Sequence, residues 1–182
     1  PEAQPVSAGR AVWLVIADDL TGACDTGSAF TRAWKPVKVV LDPGQGLPEA
    51  DVLVLDSESR SLAEDEAAAA VARLVKSAGV DPDCRVYKKI DSTLRGNPWV
   101  ELGAVMRELD VDRALVAPAF PEQGRTVSQG VLKVRGVPLA ETVFGEQAAG
   151  LREGLAQCGA TVNLLALEEV RRGADYLSQK LA

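Results

Sequence analysis

Residues 88–97, "KKIDSTLRGN", put three cations, one carboxylate, two hydroxyls and a glycine into ten positions. These are the side chains that grip a small anionic, hydroxylated molecule. Arg95 can meet a carboxylate or phosphate with two parallel N–H bonds, and Lys89 adds a compact positive charge. Ser92 and Thr93 add hydroxyl donors, Asp91 can accept, and Gly96 allows close approach of backbone. The stretch leads into a helix expected from Pro98, whose free amides and dipole favour an anion. The plainer use of these cations is a buried ion pair with Asp18 or Asp91, because an unpaired charge in an interior strand is costly.

A second cluster is Asp18-Asp19. One of the two can cap the helix that follows, a role that suits Asp19. The other can accept hydrogen bonds from hydroxyls or take a proton from one. Adjacent carboxylates repel, so a cation belongs near them: Lys88, Lys89, Arg95 or a bound Mg²⁺. Two further clusters are "DSESR" (56–60), ending in Arg60, and "GRT" (124–126), centred on Arg125. Arg60 reads equally as a solvated surface residue, and Arg125 as part of a turn or as a second anion clamp.

The elements that must position these groups alternate between apolar strands and helices. "AVWLVI" (11–16), "VKVVL" (37–41), "DVLVLD" (51–56), "CRVYKKI" (84–90) and "RALVAPAF" (113–120) read as buried strands. Helices are expected over 21–34 with Thr21 as cap, after the Ser61/Glu64 capping box as far as Gly79, and over 98–109 with Asn97 as cap. The alternation predicts an α/β fold: a three-layer, mostly parallel, Rossmann-like sheet flanked by helices. In such a sheet ligands bind beyond the carboxyl ends of the strands, and the polar clusters lie at those ends. After residue 120 the pattern weakens to a polar loop ("EQGRTVSQG"), a β-ribbon or arm over 131–144, a helix near 147–157, a strand at "TVNLL" and a helix from Leu167. Residues 1–10 read as a flexible lead-in and 11–182 as one domain.

The 182 residues carry a net charge of −6, which argues against general nucleic-acid or anionic-membrane binding. No stretch is apolar enough to span a bilayer. Three cysteines without metal-ligand spacing point to a reducing cytoplasm, and the absence of histidine leaves acid–base work to Asp, Glu, Lys or Tyr. No P-loop, G-x-G-x-x-G after the first strand or G-x-S-x-G elbow occurs. The chain thus offers a site for a small polar acid and none for ATP.

Together "IADDLTGACDTG" (16–27), "DSESR" (56–60), "YKKIDSTLRGN" (87–97) and "APAFPEQGRT" (117–126) resemble the N-terminal domain of the four-carbon acid sugar kinase family. The resemblance covers roughly residues 11–145 and departs from the family at Pro98-Trp99, where a small apolar residue and glycine are usual; a bulky Trp99 is expected to reshape the pocket floor. It implies a sugar-acid-binding α/β domain joined, in cis or in trans, to a nucleotide-binding domain. That second domain would supply most of the site for ATP and Mg²⁺, with no metal on this chain. The implied reaction is phosphorylation of the terminal hydroxyl of threonate, erythronate or a 3-oxo-tetronate. Asp18, Asp19, Arg60, Lys89, Asp91, Ser92, Arg95, Gly96 and Arg125 are the site residues expected on this basis, with Asp19 favoured as proton acceptor. The readings from other classes are a stand-alone, non-catalytic sugar-acid sensor and a metal-dependent hydrolase built on Asp18-Asp19. Oligomeric state stays open, a homo-oligomer included.

Overall fold

The computed structural model describes residues 11–145, 151–159 and 161–181. Four strands, β1 (Trp13–Ala17), β2 (Val37–Val40), β3 (Val52–Asp56) and β4 (Arg85–Lys88), form one parallel sheet in the order β2-β3-β1-β4. Both central strands are apolar up to Asp56, the last residue of β3, because both faces are covered. The period-2 alternation sorts their side chains: Leu14, Ile16, Leu53 and Leu55 pack under α2 (Glu64–Ala78) and α3 (Pro98–Glu108). Val15, Ala17, Val52 and Val54 face α1 (Leu20–Phe30), with Ala23, Phe30 and Trp34. This is the expected three-layer α/β arrangement.

The two central strands send their chains to opposite faces. β1 leads into α1 on one side, and β3 leads into α2 on the other. A crevice therefore opens between their carboxyl ends, where the register sets Ala17 beside Asp56.

A second unit is an antiparallel meander of β5 (Arg125–Ser128), β6 (Val131–Val134) and β7 (Val137–Pro138). It packs through Leu132 onto a separate apolar cluster of Leu94, Trp99, Leu139 and Leu151, the last on α4 (Leu151–Gln157). Gly154 of α4 meets the Trp99 indole so closely that a Cβ there would lie 2.0 Å from its Nε1.

Several expectations are corrected. Helix α1 is capped by Asp19, which accepts from the Gly22 amide at 2.9 Å; Thr21 lies inside the helix, which ends at Phe30. Helix α2 starts at Glu64, with Ala63 in the cap position and Glu66 reaching back to its amide at 3.4 Å, in place of the Ser61/Glu64 box. Residues 113–119 form no strand: Pro118 offers no amide, Phe120 exchanges both backbone bonds with Arg125, and Leu115 is 78% exposed. The expected polar loop contains β5. "TVNLL" is not a strand over its described residues 161–165, and the last helix is two, α5 (Leu167–Val170) and α6 (Ala174–Leu181), parted at Gly173 with φ +90°. The expected start of the helix near 147–157 lies outside the described residues, as does the expected lead-in. Among the described residues no helix is long and apolar enough to cross a membrane.

Candidate functional site

Arg60 sits at the crevice between β1 and β3 and holds both aspartates. Its Nε and Nη2 donate to Asp18 at 2.7 and 3.0 Å, and its Nη1 and Nη2 donate to Asp19 at 2.5 and 2.8 Å. The rigid, forked guanidinium makes this double grip possible. Asp18 is only 3% exposed, so its charge depends on the pairing. Burial works against the charge on Arg60, but the hydrogen bonds and charges of Asp18, then Asp19 and Asp91, outweigh it and raise its pKa above the ordinary value. The Arg60 amide also donates to the Asp18 carbonyl, at 3.1 Å, which ties the two rim loops at the backbone.

The loop after β4 supplies a second pair. Arg95 donates to Asp91 through Nε at 3.1 Å and Nη2 at 2.9 Å, leaving Nη1 with no bond among those described. Thr93 caps the same carboxylate with its hydroxyl and its amide. Burial alone would raise the Asp91 pKa, but these donors hold it well below the usual carboxylate range. Arg60 and Asp19 both act electrostatically on Arg95, so the two pairs are neighbours. Leu94, just before Arg95 in the chain, has φ +58° and a side chain 1% exposed; the strained residue anchors the loop in the second core while Arg95 stays exposed.

Other expected residues divide. Lys89 is half-buried beside Gly22 and donates to the Ile90 carbonyl at 2.7 Å, which leaves two ammonium protons unused by that bond. Ser92 is half-buried with no described side-chain bond; Thr93 supports Asp91 instead. Gly96, at φ +80°, brings the backbone close to Arg60, where a Cβ would lie 3.1 Å from Arg60 Cγ. Asn97 occupies the cap position of α3, but its amide group donates to the carbonyls of Ser59 and Leu62 at 3.2 and 2.9 Å. The structure does not bring Arg125 into the cluster. Its guanidinium donates to Gln123, and it lines a separate cavity of about 640 Å³ with Arg135 and Phe144. Trp99 is 5% exposed and packed in the second core.

Four residues outside the expected set complete the rim. Lys88 pairs with Glu101, which is 0% exposed, at 2.7 Å; the anticipated partners were Asp18 or Asp91. Glu101 lies one turn before the buried Ala104 and Val105, and a charged residue on that apolar face was the readable signal. Ser59, fully buried, donates to Glu101 at 2.6 Å. Asp56, 5% exposed, accepts from the Glu58 amide through Oδ1, while Oδ2 has no hydrogen-bond partner. Burial, followed by the charges of Glu58, Asp19 and Asp18, raises its pKa despite the Glu58 amide.

No group of three or more His, Cys, Asp or Glu among the described residues is arranged to hold a metal ion, and Arg60 offsets one of the two charges of Asp18 and Asp19. The rim is a two-signed polar surface with Arg95 exposed at its edge.

A family model described as a sugar-binding N-terminal domain matches residues 13–182. The chain belongs to this family. Its membership places the sugar-binding domain with the four-carbon acid sugar kinases. It is 41% identical over 169 residues to the D-threonate kinase of Salmonella typhimurium, covering 88% of this chain and 40% of that protein. It is 40% identical over 180 residues to the D-threonate kinase of Cupriavidus necator, covering 93% and 42%. The sugar-binding domain thus spans about 40% of the length of the curated relatives it matches. In structure it resembles a domain of unknown function from Bordetella bronchiseptica, solved with bound citrate as a domain-swapped dimer. There the TM-score is 0.69 and the identity 36%, over 88% of this chain and 44% of the other.

Proposed function

We propose that this sugar-binding domain holds a four-carbon sugar acid, D-threonate by preference, for phosphorylation of its terminal hydroxyl by ATP bound to a nucleotide-binding domain in cis or in trans. The observation that carries the reading is the convergence of Asp18, Asp19 and Arg60 with Asp91 and Arg95 beyond the ends of β1, β3 and β4. The substrate carboxylate takes the free edge of Arg95 and the remaining protons of Lys89. The hydroxyls donate to the outer lone pairs of Asp18 and Asp19, with Ser92 beside them. Asp19, whose side chain is 25% exposed against 4% for Asp18, is the carboxylate that a terminal hydroxyl can reach. Phosphoryl transfer depends more on positioning than on early proton removal, so Asp19 serves chiefly to orient the hydroxyl. Mg²⁺ and ATP, when bound to the other domain, supply charge neutralisation and the phosphoryl group.

Isothermal titration of the chain with D-threonate, D-erythronate and a 3-oxo-tetronate tests this. Binding of at least one, lost in Arg95→Ala, is expected. Absence of heat with all three, in wild type and variant alike, overturns the reading.

A further inference from the structure

We infer that the buried Lys88–Glu101 pair is a positioning device that locks the three rim loops to one another and so sets the affinity of the site without touching the ligand. The inference rests on the proposed sugar-acid reading for its ligand but not for its geometry.

Glu101 lies in the first turn of α3, wholly buried, and one carboxylate reaches two loops. Its Oε1 accepts from Ser59, the residue before Arg60, at 2.6 Å. Its Oε2 lies 2.7 Å from the ammonium of Lys88, the residue before Lys89, and that ammonium donates to the Lys89 carbonyl at 2.9 Å. The chain continues from the Ser59 hydroxyl to that of Ser57 at 2.7 Å, and from Ser57 to the Ala17 carbonyl, just before Asp18, at 2.8 Å. Asp18, Arg60 and Lys89 thus each follow a residue tied into one network. Two hydroxyl protons serve three short contacts. The charge-assisted bond to Glu101 claims that of Ser59. The proton of Ser57 is shared between Ser59 and the Ala17 carbonyl, which already accepts the Ser57 amide at 2.9 Å.

Stability does not account for this arrangement. Desolvating two charges offsets most of their attraction, and apolar residues of similar volume at such sites are often neutral or stabilising. Glu101 Oε2 has the Lys88 charge beside it but no hydrogen bond, so moving either loop would strand a buried carboxylate, and that penalty holds the joined groups in one arrangement. The groups joined here are the anchors of Asp18, Arg60 and Lys89.

The test uses Lys88→Met/Glu101→Leu, which removes both charges at similar volume, and Ser59→Ala, which keeps the ion pair but cuts its link to Arg60. Two readouts follow: D-threonate affinity by titration, and the Arg60 Nε–H proton resonance in the absence of ligand, slowed in exchange by its bond to Asp18. The double variant is expected to melt no lower than wild type, lose the Arg60 resonance and bind at least tenfold more weakly; Ser59→Ala is expected to lose about threefold. An unchanged Arg60 resonance, or an affinity within twofold of wild type in the double variant, overturns the inference. Should the double variant fail to fold, the same two readouts on Ser59→Ala decide. A wild type that binds no tetronate sinks the substrate reading, while the Arg60 resonance still judges the coupling.

Discussion

Arg60 is the residue on which the rim depends. A lysine can supply its charge but not four hydrogen bonds in a plane, so Arg60→Lys leaves one aspartate poorly paired. Arg60→Ala strands Asp18, and the expected loss is about 3 kcal/mol, the lower end for a broken buried pair because Arg60 is itself partly exposed. Both variants should lose sugar-acid binding at least tenfold; denaturant melts and titration read the two effects separately. Asp56 carries the opposite prediction. Its pKa is raised by burial and by nearby carboxylates, so its ionised form costs stability at neutral pH. That cost is absent below the unfolded carboxyl value and grows as pH rises through the folded one. Asp56→Asn should therefore raise the melting temperature at pH 7, with an advantage that shrinks on acidification; a constant advantage at every pH would remove the electrostatic explanation.

At the scale of elements, α4 is held to α3 by an exact fit of small against large. Gly154 leaves room for the Trp99 indole, and Gly154→Ala must push α4 away or turn the ring out of the second core. Overpacking of this kind costs about 1–3 kcal/mol. The loss should show as a lower melting temperature with a red-shifted tryptophan emission, and Trp99→Leu should recover it in the double variant. This contact also shows where sequence reading stops. The apolar runs of β1 and β3 read as buried strands because they are short, rich in valine and isoleucine and closed by polar residues, and the acids and bases at their ends mark the rim. Partnership is another matter. Arg60 looks like any exposed arginine until β3 is set beside β1, when a separation of some forty residues becomes a single fork. Glu101 reads as an ordinary helix residue unless its place on the Ala104–Val105 face is noticed. Strand 113–120 was misread because its apolar composition says nothing of Pro118 or of the claim that Arg125 makes on the Phe120 backbone.

For the molecule as a whole, the two cores predict two levels of stability. The parallel sheet is covered on both faces, whereas the meander rests on one small cluster and leaves Val127, Val131 and Val137 between 37% and 46% exposed. Units with fewer buried apolar contacts open more readily. Amide exchange should accordingly be slowest over Val52–Leu55 and much faster over 125–138. Sugar-acid binding sharpens the contrast. Ligand contacts in the proposed site belong to the loops after β1, β3 and β4, so D-threonate should slow exchange at 18–19, 57–60 and 91–97 and leave the meander little changed. Arg125 decides the matter, because the motif pattern counts it with the site while the structure puts it on β5 beside Gln123 and Arg135. Arg125→Ala is expected to keep D-threonate affinity within about twofold, where Arg60→Ala abolishes it. Equal losses in the two variants, with new protection over 125–128 on binding, would mean that the meander closes onto the rim and that the ligand is held by both units of the fold.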